Sequence, residues 1–309
     1  MPQQATSSVH LRSNQGWDPR LLVCDYDLAY AGYLLPMHVF IIVSERYVVI
    51  VDTLVNAETA QLLLDIARPY LDRRRLLIVN THADFDHAWG NQLFFDADSR
   101  ARAPIIGSRA CASRLRSIEE QNRLSQLRAE QPAIYRDVHL CPPDMLFDNS
   151  LTIDGGDLSV QLFATPGHTP DHCSIYLPEI RMLLAGDAAE SPFPLPDDGG
   201  LGDLRASLRR LEAFEAHAAF YCHAPVDSGP ALIRHNIQYF DTLEKRCRAA
   251  LEAGAPVYPD DGVDVEALIG YDYAEALPAG TSEAIPESYY RPDHRSAIRA
   301  MLQYVSEGV

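Results

Sequence analysis

The feature that most constrains this chain is a short apolar run ending in a cluster of metal-type side chains. Residues 76–79 read as a buried strand that runs directly into Thr81, His82, Ala83, Asp84, Phe85, Asp86 and His87. Four imidazole or carboxylate groups, His82, Asp84, Asp86 and His87, thus fall within six residues on a loop leaving a strand. Divalent cations such as zinc accept both ligand types, and several such groups are costly to hold together without a cation. Three further residues share this placement. His168 follows a strand ending at Ala164, Asp187 follows the apolar run 182–185, and His223 follows 219–222. Ligand-type residues at the C-terminal ends of several strands call for loops gathered on one edge of a sheet.

Hydrophobic patterning supplies the frame. Residues 38–43 and 46–51 predict a hairpin turning at Ser44 and Glu45. Asn56 is placed to cap a helix over 57–71, with Leu62, Leu63, Ile66, Ala67 and Tyr70 on one face. A helix over 86–95, a strand at 104–106 and a polar, Arg- and Glu-rich helical stretch at 108–130 follow. Strands are expected at 151–153, 158–164, 173–177 and 182–185, then a helix at 203–217, a strand at 219–222 and a long helix at 230–253. Meandering strands beside βα units fit helices covering two sheets better than a doubly wound sheet. Residues 254–309 differ, with Tyr258, Tyr271, Tyr273, Tyr289 and Tyr290 among prolines and acids before a final helix near 294–305. They read as an arm packed on a domain of residues 1–253 whose core spans 35–240.

Composition excludes several classes. With 47% apolar residues over 309 positions, the chain can bury a sizeable core. Its 26 basic against 43 acidic residues give a net charge of -17, which disfavours nucleic acid and anionic membranes as partners. No apolar run approaches the roughly 18 residues of a membrane span. The first twenty residues are polar, unlike a secretory signal. The six cysteines lie far apart without Cys-x-x-Cys spacing, which argues against a zinc finger or a disulfide scaffold and for reduced thiols in a cytoplasmic protein. There is no Gly-x-Ser-x-Gly elbow, and Gly199, Gly200 and Gly202 read as a turn without the lysine of a phosphate loop. Arg114, Arg116, Arg123 and Arg128 read first as the solvated face of a helix and second as a cap that attracts an anionic substrate. The segment from Ser191 to Pro196 reads equally as an apolar pocket wall and as a rigid connection. His172 reads as a residue behind the ligands or as ordinary loop packing.

The ordered set of a His/Asp-rich loop, Gly167-His168, Gly186-Asp187 and His223 resembles the metallo-β-lactamase superfamily over roughly residues 35–240. The resemblance implies an αββα four-layer sandwich of the α+β class, two mixed β-sheets packed face to face with helices on both outer faces. It implies that His82 and His168 hold a first metal ion, that Asp86, His87 and His223 hold a second, and that Asp187 bridges them. Asp84 departs from the pattern: the commonest loop has histidine there, and di-iron relatives have glutamate. The shorter aspartate ligates the first ion directly, ligates it through water, or leaves that site weak. Two dications against Asp84, Asp86, Asp187 and a bridging hydroxide leave about zero net charge, one unit less than with histidine. Such a shell tilts the preference toward manganese or iron, with zinc still the leading ion. The implied chemistry is a hydroxide between two metals attacking an ester, lactone, thioester, amide or phosphodiester of a small molecule, with Asp86 orienting the nucleophile or accepting its proton. Two other readings stand beside it. One is a di-iron, oxygen-handling enzyme, although those relatives append a flavin domain for which residues 241–309 are too few. The other is a metal-poor binding protein of the same fold. The Tyr-rich arm is a candidate homodimer contact, and Asp171→Ala is expected to leave metal content unchanged.

Overall fold

The computed structural model describes residues 8–30, 32–97, 99–197, 199–278 and 286–308, so part of the polar N-terminus and part of the C-terminal arm lie outside the described residues. Two β-sheets with their helices form an αββα sandwich. The first sheet takes its strands in chain order: β1 (Val9–Leu11), β2 (Leu21–Tyr30), β3 (Tyr33–Val43), β4 (Tyr47–Val51), β5 (Arg75–Val79), β6 (Ile105–Ser108) and β7 (Met145–Phe147). Its first four strands are antiparallel and the rest parallel. The second comprises β8 (Ser150–Asp154), β9 (Ser159–Ala164), β10 (Cys173–Leu177), β11 (Met182–Gly186) and β12 (Ala218–Tyr221), in the order β12-β11-β10-β9-β8. The chain divides into two compact units. One comprises Met1–Ala164 and Asp171–Leu184, the other Thr165–Pro170 and Ala185–Val309.

In the first unit, β4 and β5 pair in parallel from Tyr47↔Arg75 to Val51↔Val79, and the Asp52 amide donates to the Val79 carbonyl at 2.7 Å. Both strands therefore end level, and their loops leave the sheet together. The predicted hairpin is present, but β2 before it escaped the sequence reading because Asp25 and Asp27 interrupt its apolar run. Asn56 caps α1 (Ala57–Ala67) in a capping box with Thr59. That helix stops early, passing into a 3₁₀ turn at Arg68–Tyr70, where Pro69 has no N–H to extend the ladder.

The helix predicted over 86–95 is not continuous. Only α2 (Gln92–Phe95) is α-helical, preceded by a 3₁₀ turn at Trp89–Asn91. The His87 carbonyl accepts from the Thr53 amide (2.6 Å) and hydroxyl (3.2 Å), bonds that tie the loop to the end of β4. Gly90 allows this approach, since a Cβ there would stand 2.1 Å from the Thr53 carbonyl oxygen. The 108–130 stretch divides into α3 (Arg109–Leu115) and α4 (Ile118–Glu130), with Ser117 capping the second; α5 (Pro132–Tyr135) follows.

The second unit holds α6 (Leu201–Glu212), α7 (Ala231–Glu252), α8 (Val265–Ile269), α9 (Tyr273–Ala276) and α10 (Glu287–Ser306). The final helix begins before 294 and carries Pro292 within it. Phe193 stacks on Tyr239 with centroids 4.3 Å apart and is buried, so it belongs to this unit's aromatic core and not to a pocket wall. His294 donates from Nε2 to the Tyr271 carbonyl (3.1 Å), which leaves Nδ1 to accept the Tyr239 hydroxyl at 2.9 Å. Tyr271 and Tyr273 of the arm are thus core residues, whereas Tyr258 is exposed. All six cysteines are buried and none forms a disulfide. No helix among the described residues is long and apolar enough to cross a membrane.

Candidate metal centre

Level strand ends place Asp52 beside the loop after β5. Its Oδ1 accepts the Thr81 amide (2.8 Å), its Oδ2 accepts the Thr81 hydroxyl (2.7 Å), and His87 Nδ1 lies 2.9 Å from Oδ2. An ionised carboxylate only accepts, so His87 carries its proton on Nδ1 and presents the Nε2 lone pair. The Thr81 hydroxyl spends its one proton on Asp52, so it accepts from His82 Nδ1 at 3.0 Å. His82 therefore presents Nε2 as well. Asp52 adopts φ of 66°, a left-handed conformation that aspartate tolerates better than most residues.

His82 Nε2 lies 3.7 Å from Asp84 Oδ2, and His87 Nε2 lies 3.8 Å from Asp86 Oδ2. These separations exceed a hydrogen bond. Two donors bound to one tetrahedral ion at ordinary zinc distances stand about 3.4 Å apart, so the spacing and donor chemistry fit ligands that share an ion. Both imidazoles are fully buried.

The other oxygen of Asp84 is engaged by arginines. Arg114 Nη2 donates to Oδ1, and Arg123 Nη1 lies 3.6 Å from the same atom. Arg114 also donates from Nη1 to Asp171 Oδ1 at 3.1 Å, while Asp171 Oδ2 accepts the Ala83 amide at 2.8 Å. Burial opposes the Arg114 charge, but Asp84, Asp171 and Glu120 around it hold the guanidinium protonated. Arg123 lies over the Phe85 ring, its guanidinium carbon 4.9 Å from the centroid. The solvated-face reading therefore fails for Arg114 and Arg123, because the break at Arg116 and Ser117 separates α3 from α4 and both helices send an arginine to the loop. Arg116 and Arg128 bond to local carbonyls. Asp171 is correspondingly not the neutral control that the sequence suggested, since it is buried and fixes the loop backbone. His172 is buried with its ring 5.0 Å from that of His82.

In the second unit, His168 follows a turn that only glycine can make. Gly167 has φ of 130°, and a Cβ there would stand 2.2 Å from the Leu204 amide nitrogen. The Leu195 carbonyl, an acceptor, lies 3.2 Å from His168 Nδ1, so this imidazole too presents Nε2. Asp187 Oδ2 lies 3.7 Å from His168 Nε2 and 3.5 Å from His223 Nε2, so one carboxylate oxygen serves two imidazoles at ligand spacing. Glu190 was not anticipated. Its Oε1 lies 3.6 Å from His168 Nδ1, and Asn236 holds its backbone through bonds of 3.1 and 3.0 Å. Burial, with Asp187 nearby, pushes its carboxyl above the usual range. Asp52 carried a signal that could have revealed it, an acid directly after an apolar strand, as with Asp187.

A sequence model of the metallo-beta-lactamase superfamily matches residues 33–223. The chain belongs to this superfamily. Among curated relatives, the hydroxyacylglutathione hydrolase of Rhodospirillum rubrum is 25% identical over 242 residues, covering 73% of this chain and 81% of that protein. A beta-lactamase-like protein 2 homolog of Caenorhabditis elegans is 37% identical over 78 residues, 25% of each chain. Among solved structures, a metallo-beta-lactamase family protein from Thermus thermophilus superposes with a TM-score of 0.63 at 19% identity, covering 94% of each chain. A metallo-beta-lactamase from Pontibacter korlensis gives 0.57 at 20% identity, covering 75% of this chain and 98% of that one. These structural likenesses show the fold. Within this superfamily member, the seven metal-type residues fall into two sets: His82, Asp84, Asp86 and His87 in one unit, and His168, Asp187 and His223 in the other.

Proposed function

We propose that this chain is a metal-dependent hydrolase in which His82, Asp84, Asp86, His87, His168, Asp187 and His223 hold two divalent ions, zinc foremost, and that it cleaves a small ester or thioester. The observation that carries the reading is four imidazole–carboxylate spacings of 3.5, 3.7, 3.7 and 3.8 Å, too long for hydrogen bonds and suited to ligands of shared ions. Superfamily membership supports the hydrolytic class, and the similarity to a hydroxyacylglutathione hydrolase supports the thioester.

When bound, the ions supply an acidified water and a polarised carbonyl. The protein's part is to hold its donors before they arrive. Asp52 and Thr81 fix the tautomers of His87 and His82, the Leu195 carbonyl fixes that of His168, and Asp86 is the carboxylate assigned to orient the nucleophile and take its proton.

The test is elemental mass spectrometry on protein purified without an affinity metal, followed by thiol release from acyl thioesters before and after chelation. About two zinc or manganese ions per chain with chelator-sensitive hydrolysis supports the proposal. About two irons with oxygen consumption favours the redox reading, and less than about one ion favours a binding protein.

A further inference from the structure

Resting on the metal reading above, we propose that Arg114, backed by Arg123, neutralises Asp84 so that the aspartate acts toward an ion at His82 as an uncharged, single-oxygen ligand, and that this pairing restores a preference for zinc over manganese.

Placing aspartate where neutral imidazole is the commoner ligand subtracts one positive charge from the shell. The guanidiniums of Arg114 and Arg123 together offset it and the Asp171 carboxylate that anchors Arg114, while burial pushes the Glu120 carboxyl above its usual range. Arg114 is built for that task, because its position does not depend on Asp84 alone. Nη1 is anchored at 3.1 Å on the buried Asp171, and Nη2 lies 3.8 Å from Glu120, a buried acid that the Trp89 indole N–H holds at 3.1 Å. Arg123 approaches from the next helix and is braced on Phe85. Both arginines address Oδ1, while Oδ2 stands at ligand spacing from His82 Nε2.

The arrangement separates two properties of a carboxylate ligand. Its oxygen remains, but its net charge is offset by the side chains behind it. A shell with one more uncompensated carboxylate suits manganese, whereas the compensated shell resembles a neutral imidazole site suited to zinc. Arg114 and Arg123 are therefore positioning residues that act through Asp84.

The experiment is competition titration of the metal-free full chain with zinc and manganese against a chelating indicator, with no activity readout. Arg114→Leu is expected to raise the manganese-to-zinc affinity ratio by about tenfold or more. Arg114→Lys, which keeps the charge, should stay within about 1.5-fold of the parent, and Asp84→His combined with Arg114→Leu should return there too. Should Arg114→Leu not fold, Arg123→Met reads the same direction with a change of about threefold. An unchanged ratio overturns the inference, as does an equal fall in both affinities, which would make Arg114 a brace for the loop and nothing more. If the parent chain takes up neither ion, the metal reading itself fails; if it takes up both and the variants match it, only this inference does.

Discussion

The buried Glu266 and the partly buried Asp84 are each flanked by two arginines, and their difference separates a structural acid from a candidate ligand. Glu266 on α8 meets Arg291 and Arg295 of α10. Arg291 forks onto both oxygens at 2.9 and 3.1 Å, Arg295 adds a bond to Oε1, and the Tyr273 amide donates to Oε2 at 3.0 Å. Every direction around that carboxylate is committed to a protein donor, so its work is to tie α8, α9 and α10 together. Asp84 differs in which oxygen its arginines reach. Both of its arginines address Oδ1, while Oδ2 faces an imidazole nitrogen at a distance that suits a shared ion. Arginines on both oxygens tie helices together, whereas arginines gathered on one oxygen can orient the other.

The contrast can be broken most sharply at Asp187, which has the ligand pattern with two imidazoles. Asp187→Ala is expected to empty both sites, a loss of about two ions per chain by elemental mass spectrometry. Retention of one ion would remove its bridging role. Next in size is Asp52→Asn, which keeps the shape but removes the carboxylate that sets the His87 tautomer. Metal affinity should fall about 10- to 100-fold by chelator competition.

Glu266→Gln tests the structural side. It should lower Tm by roughly 5 °C in calorimetry with metal content unchanged. Loss of metal here would erase the distinction. The smallest effect is acid sensitivity. Burial alone would raise the Glu266 carboxyl, but the bonds from Arg291, Arg295 and Tyr273 outweigh it and hold the group down to about 2. The folded value lies below the ordinary 4.5, so the contribution is complete above the unfolded value and is lost as pH falls from about 4.5 through about 2. Glu266→Gln should flatten the stability curve in that window, measured by denaturant unfolding against pH.

The ligand-type residues were legible because each ends an apolar strand, and strand ends are visible in a one-dimensional pattern. Asn56 was legible as a cap for the same local reason. The loop after β5 misled the helix assignment because the bonds that hold it come from Thr53, far away along the chain. The place of Phe193 stayed open for a similar reason. A proline-flanked aromatic gives no sign of whether it lines a pocket or stacks on Tyr239, and only α7 decides that.

The sequence by itself carried the ordered set of metal-type residues, which depends on local spacing, and through that set the resemblance that implied the superfamily and the sandwich. Only the tertiary structure decided what stands behind those donors. Nothing in one dimension pairs Asp52, Arg114, Asp171 and Glu190 with their partners. They become second partners of His87, Asp84, the Ala83 amide and His168 because the fold brings distant segments within hydrogen-bond or ion-pair reach, where burial makes each partner's charge and tautomer count.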